Sequence, residues 1–197
     1  MKLIGYPIDQ RLSHPTVAEL SFHLSVLRRD HAIQLDMLNG PWLAGGSLVR
    51  MLWTGNFPGQ ESDLDIFLPK EDERKPERNR SKYSDLWNDP TSDVPHVRGL
   101  TDVRGENDYT YQLIHTTATG IKEILETFDL TISQFATDGN LIIGSEEAWM
   151  DLSRGEFRKT EAHGHRATEH RIEKYKTMGL NFINPIEEII PDDDLPF

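Results

Sequence analysis

The chain has 197 residues and no cysteine, and its 33 Asp and Glu against 21 Lys and Arg give a formal net charge of −12. That length suits one domain, or one domain with an appendage, and the lack of cysteine excludes a disulfide scaffold and a Cys-type zinc site. No run approaches the roughly 18 to 20 apolar residues that a membrane span needs. The N-terminus, MKLIGYPIDQRLSH, has no small-residue cleavage pattern after an apolar region, so a cytoplasmic protein without membrane contact is expected. The acidity also disfavours a broad nucleic-acid groove, because phosphate backbones attract surfaces rich in Lys and Arg. The charge is segregated, however: residues 70–82 and 154–176 hold 13 of the 21 bases, and the last eleven residues hold five acids and no base. A local anionic ligand stays compatible with this pattern.

Apolar residues in 11–38, from Leu12 to Leu38, recur mostly at three, four and seven positions, which predicts one or two helices with a buried face. Ser13 is the expected N-cap, with Pro15 in the first turn. Trp42-Leu43-Ala44 reads as a strand and Gly45-Gly46 as a turn. Ser47 to Trp53 reads as a helix stopped by Gly55. After the loop 56–62, Asp63 to Leu68 is a predicted strand ending at Pro69.

Residues 70–107 are polar and rich in Pro, Asn, Asp and Ser, the composition of a mobile insertion with room for a short helix. Tyr109 to His115 is β-rich, Ile121 to Phe128 is helical, and Asp129 to Phe135 alternates like a strand, with Asp129, Thr131 and Ser133 on one side. Asp138-Gly139 marks a hairpin into Leu141–Gly144. Ser145 caps a helix through Leu152, and a last helix spans roughly 166–178 before Gly179. Strands interleaved with helices indicate an α/β or α+β fold with a small mixed sheet. Residues 1–184 form one expected domain, followed by an acidic tail, 185–197.

The informative stretch is 42–68, WLAGGSLVRMLWTGNFPGQESDLDIFL. Side chains alternate along a strand, so Asp63 and Asp65 share one face while Leu64 and Ile66 enter the other. Two adjacent carboxylates repel each other unless a cation lies between them, and oxygen ligands of this kind suit Mg²⁺. The Gly45-Gly46-Ser47 turn offers backbone N–H groups and a helix N-terminus, a site for phosphate. Each element alone is commonly structural, the acids as solvated strand-edge groups and the glycines as a packing device. Their order and spacing carry more information than either.

That order resembles the nucleotidyltransferase superfamily related to DNA polymerase beta, most closely the head domains of tRNA nucleotidyltransferases and poly(A) polymerases. The resemblance is specific over 42–68 and weaker through 109–180. It implies a nucleotidyltransferase fold and transfer of a nucleoside monophosphate from a triphosphate such as ATP to an acceptor hydroxyl, with release of pyrophosphate. It also implies that Gly45, Gly46 and Ser47 hold the triphosphate and that Asp63 and Asp65 bind two Mg²⁺ ions. A third acid on a neighbouring strand would bind the catalytic ion. Asp129 is the first candidate for it, against a reading as a helix-to-strand junction acid, and Asp108 is the second.

The segments EAWMDLSRGEFR and RATEHRIEKYKTMGLNF resemble those accompanying nucleotidyltransferase domains of phage or viral type. Ile172, Tyr175 and Met178 share a helix face there, and Arg171 and Lys174 are either phosphate contacts or a solvated basic face. Arg50 is likewise a phosphate contact or a surface charge.

Three departures from the tRNA enzymes leave the choice of nucleotide and acceptor open. The glycine-to-acid gap is longer, no Arg-Arg-x-Asp motif follows, and there is no length for a helical tRNA-binding body. An RNA or tRNA 3′ end, a small molecule and a protein side chain all fit as acceptor, and the oligomeric state is not encoded legibly. A lapsed relative that binds nucleotide or a partner without catalysis is the competing reading. No P-loop, dinucleotide fingerprint or nucleophile elbow is present. His163, His165 and His170 read as surface histidines before they read as metal ligands.

Overall fold

Short apolar strands broken by glycine turns build a seven-stranded mixed sheet flanked by helices. The computed structural model describes residues 1–59, 62–72, 96–105, 109–162 and 168–184. The strands are β1 (Leu3–Pro7), β2 (Trp42–Ala44), β3 (Leu64–Leu68), β4 (Val97–Arg104), β5 (Thr110–Thr116), β6 (Phe135–Thr137) and β7 (Leu141–Ser145). They lie in the order β1-β7-β6-β2-β3-β5-β4. Strands β3 and β5 run parallel and every other pair antiparallel. A separate parallel pair joins β8 (Glu156–Phe157) to β9 (Asn181–Phe182).

Five helices accompany the sheet among the described residues: α1 (His14–His31), α2 (Gly46–Thr54), α3 (Ile121–Leu125), α4 (Glu146–Arg154) and α5 (Thr168–Thr177). The predicted caps are present. Ser13 Oγ accepts the Thr16 amide at the start of α1, Ser145 Oγ accepts the Ala148 amide at the start of α4, and Gly55 ends α2 at φ +72°.

The pleat sorts the core into two layers. Leu43, Leu64, Ile66, Leu68, Tyr111 and Leu113 pack with the apolar sides of α1, α2 and α5. Trp42, Ala44, Phe67, Ile114 and Ala136 pack on the opposite face, where Ile124 and Leu125 of the short α3 join them. This second face has the lighter helical cover. Asp63 and Asp65, alternating with Leu64 and Ile66, belong to it.

Two expectations need correction. The alternating run 129–135 is not a strand: Leu130 makes an isolated bridge to Lys159, Thr131–Ser133 is a 3-10 turn, and only Phe135 starts β6. The alternation misleads because both of its sides are interior. Asp129, Thr131 and Ser133 are nearly as buried as Leu130 and Ile132, and each of the three polar side chains makes a tertiary hydrogen bond. The hydroxyl of Thr131 donates to Asp151, a fully buried acid also paired with Arg158. The stretch 70–107, expected as an insertion, contributes the eight-residue edge strand β4, paired with β5 from Val97 to Arg104. Residues 73–95, Asp108, His163, His165 and the acidic tail 185–197 lie outside the described residues. Strand β1, unforeseen in the sequence, pairs with β7.

His23 on α1 is buried with its ring stacked on Phe57 and its Nδ1 at 2.9 Å from the Tyr111 hydroxyl. Burial lowers its pKa to about 4. The unfolded chain therefore takes up this proton near pH 6.5 and the folded chain only near 4. Stability is lost as pH falls through that window, by at most about 3 kcal/mol. Thermal melts between pH 7 and 4 should show wild type losing more than His23→Gln, and parallel slopes would refute this assignment.

Candidate functional site

The site forms where β2 ends and β3 begins. The antiparallel register pairs Trp42 with Phe67 and Leu43 with Ile66, so the chain leaving β2 through Gly45 arrives beside Asp65. A Cβ on Gly45 would stand 3.8 Å from the Asp65 Oδ2 and 3.3 Å from the Phe128 ring. Gly45 also adopts φ +91°, ψ −147°, a conformation open to glycine and strained for any other residue. The backbone turns there into α2, which has no side-chain cap. The first amides of a helix have no intrahelical acceptor and carry the positive end of its dipole. Ser47, in the first turn, is buried, and its hydroxyl has no hydrogen-bond partner among the described residues. A buried unpartnered hydroxyl at a helix N-terminus fits a phosphate oxygen as its acceptor.

Asp63, exposed, immediately precedes β3, and Asp65, partly buried, lies within it. Burial, followed by the charge of Asp63, pushes the Asp65 carboxyl up to about 7, against the opposing pull of Arg171 and Lys174. Asp63 is raised as well, by burial first and then by Asp102, while Lys174 lowers it. Asp102 escaped the sequence reading. Parallel pairing sets Asp65 opposite Gln112 on β5, and antiparallel pairing sets Gln112 opposite Asp102 on β4, so the three form a row across adjacent strands. The Gln112 amide donates to Asp102 Oδ1 at 3.3 Å. The only local signal for Asp102 was the alternation in VRGLTDVR, hidden in a polar stretch.

The predicted residues are brought together unevenly. Gly45, Gly46, Ser47, Asp63 and Asp65 lie at one end of the sheet, where β2 leaves it and β3 enters, and Gly45 comes near Asp65. Helix α5 brings Arg171 and Lys174 close enough for their charges to act on Asp65. Arg50, half-buried on α2, donates from Nη1 to the Ser62 hydroxyl at 3.3 Å. Asp129 is buried beneath α5, where its Oδ2 accepts from Thr168 Oγ1 at 2.6 Å and Arg171 Nη1 at 2.8 Å, while Oδ1 has no hydrogen-bond partner among the described residues.

Among the described residues, no three His, Asp or Glu side chains stand close enough to hold a metal ion together. Two carboxylates raised by burial and by neighbouring acids nonetheless fit Mg²⁺, which takes one or two protein carboxylates and completes its octahedron with water and phosphate. They do not form an all-protein cage.

The fold recurs in solved structures. The Thermotoga maritima CCA-adding enzyme complexed with tRNA superposes with a TM-score of 0.54 and 17% identity, over 95% of this chain and 45% of that one. Structures of CCA-adding enzyme with ATP and with CTP superpose at 0.53 and 16% identity, over 95% of this chain and 44% of theirs. The fold is the nucleotidyltransferase fold. The chain spans less than half the length of these enzymes. No family model and no curated protein matches the sequence. Within the nucleotidyltransferase fold, the lightly covered face of the sheet here presents the two acids, and the glycine turn meets them from the adjacent strand.

Asp65→Asn removes a carboxylate that the folded chain disfavours. At neutral pH without divalent cation the variant should be more stable than wild type by about 1–2 kcal/mol. Added Mg²⁺ should narrow the gap by stabilising wild type alone. Denaturant titrations of both proteins, with and without Mg²⁺, measure this, and a less stable variant in metal-free buffer would contradict it.

Proposed function

We propose that this protein is a Mg²⁺-dependent nucleotidyltransferase that moves a nucleoside monophosphate from a triphosphate to an acceptor hydroxyl, with an RNA 3′ end as the acceptor. The observation that carries this reading is the approach of the glycine turn to Asp65, whose Oδ2 would lie 3.8 Å from a Cβ on Gly45. A phosphate cradle and a cation clamp then serve the same ligand. The RNA end draws support from the neighbouring fold complexed with tRNA and from the basic side chains that α5 adds to the rim.

Each group has a task set by its position. The α2 amides and the Ser47 hydroxyl would hold phosphate oxygens, and Arg171 and Lys174 would balance the triphosphate charge as it shifts toward the leaving pyrophosphate. Asp63 and Asp65 would hold Mg²⁺, two ions being the number the resemblance implies, to activate the acceptor oxygen and neutralise phosphate charge. The row Asp65–Gln112–Asp102 brings a third acid to the pair from β4, and Asp102 is our candidate for supporting the site from that side. Asp129, expected as the third ligand, is engaged by Arg171 and Thr168, and its proposed part is to aim Arg171. Arg50 is proposed to steady the loop before Asp63 through Ser62. Much of the rate would come from positioning.

The lack of a three-carboxylate cluster among the described residues favours one competing reading, a nucleotide-binding relative without transfer activity. Incubation with each α-labelled triphosphate, Mg²⁺ and total cell RNA or protein separates the two. Transfer of label to RNA, abolished by Asp63→Ala or Asp65→Ala with circular dichroism unchanged, is the expected result. Arg171→Ala and Lys174→Ala should each raise KM for the triphosphate by about tenfold, the cost of one charge-assisted contact. Label in a small molecule or a protein would correct the acceptor. Binding of triphosphate with no transfer to any fraction would establish the lapsed relative.

A further inference from the structure

Tyr175 lies at the junction of three segments that the proposed reaction needs in register. It is buried on α5, its ring edge-on to Phe157 with centroids 5.6 Å apart. Its hydroxyl is 2.9 Å from Ser133 Oγ in the 3-10 turn, and a Cβ placed on Gly46 would stand 3.1 Å from the same oxygen. One oxygen thus touches the turn that follows Asp129 and fills the space beside the glycine at which α2 begins. Arg171 lies four residues earlier on α5, one helical turn away, and Lys174 is its immediate neighbour.

We infer that Tyr175 is a positioning residue: its hydroxyl, held by Ser133 and seated against Gly46, sets the distance between α5 and the Gly45-Gly46-Ser47 turn, and so the reach of Arg171 and Lys174 to a bound triphosphate. This rests on the nucleotidyltransferase reading and extends it to a residue that touches no substrate. The geometry also explains why position 46 takes glycine where φ does not demand it. A methyl group there would crowd the Tyr175 oxygen, which would have to give way by a few tenths of an ångström. The hydrogen bond to Ser133 lies in the interior, where losing a partner leaves the other group unsatisfied. The contact is therefore held in one geometry.

The test uses the full chain and Tyr175→Phe, which keeps the ring and removes the oxygen, with Ser133→Ala as a second route to the same loss. Two readouts are taken: triphosphate binding and kinetics, and amide hydrogen exchange at residues 45–48 and along α5. The expected result is a triphosphate KM about three- to tenfold higher in both variants, the weight of one hydrogen bond, with a smaller change in kcat. Exchange should quicken at both segments, and the double variant should be no worse than either single one. Gly46→Ala should lose affinity, and Tyr175→Phe in that background should restore part of it by vacating the space. Exchange and KM unchanged in Tyr175→Phe, or a lowered melting temperature alone, would overturn the inference. Quickened exchange in a protein whose wild type binds no triphosphate would keep the clamp and overturn the nucleotide reading.

Discussion

The antiparallel pairing of β2 with β3 is the contact on which the site depends. Because Leu43 lies opposite Ile66, the chain leaves the sheet at Gly45 beside Asp65, close enough that a Cβ there would meet the carboxylate at 3.8 Å. A slip of one residue would turn both acids toward the apolar layer of Leu64 and Ile66 and separate them from the turn. That layer, packed with α1, α2 and α5, holds the register, since every apolar side chain on β3 would have to change faces together. Core packing and site geometry are therefore set by the same pairing.

A second set of contacts joins the C-terminal helix to that frame. The short segment 129–133 is buried along its length, and its polar groups reach outward to several partners. Asp129 takes Thr168 and Arg171 from α5, Thr131 takes Asp151 from α4, and Ser133 takes Tyr175. Buried ion pairs of this kind add little net stability over apolar packing, but breaking one leaves a charge unsatisfied, so they specify arrangement more than they strengthen it. Here the arrangement specified is the placement of Arg171 and Lys174 where both charges act on Asp65 and that of Lys174 acts on Asp63 as well. The opposing charges lower the cost of keeping Asp63 and Asp65 side by side.

Sequence signals are legible wherever the chemistry is local. Ser13 and Ser145 cap their helices because a hydroxyl one turn from an open amide needs no distant partner. Asp138-Gly139 closes the β6–β7 hairpin for the same kind of reason, with Gly139 at φ +93°. The alternation from Asp129 to Ser133 does not encode a strand, because alternation signals one only when one side meets water, and here neither does. Asp102 was missed because a strand at the edge of a sheet needs little apolar content, so VRGLTDVR read as part of a polar insertion.

By itself the sequence determined the glycine turn, the D-x-D strand, the fold class and the basic helix, because each depends on residue type and spacing within a few positions. Only the tertiary structure decided which acids and bases meet. It set Asp102 in a row with Asp65 through two strand pairings, buried Asp129 under Arg171, and brought Tyr175 against Gly46 from 129 positions away. Such contacts follow from register and from the burial of both faces of a segment. Those are properties of the assembled sheet, and no short window of residues contains them.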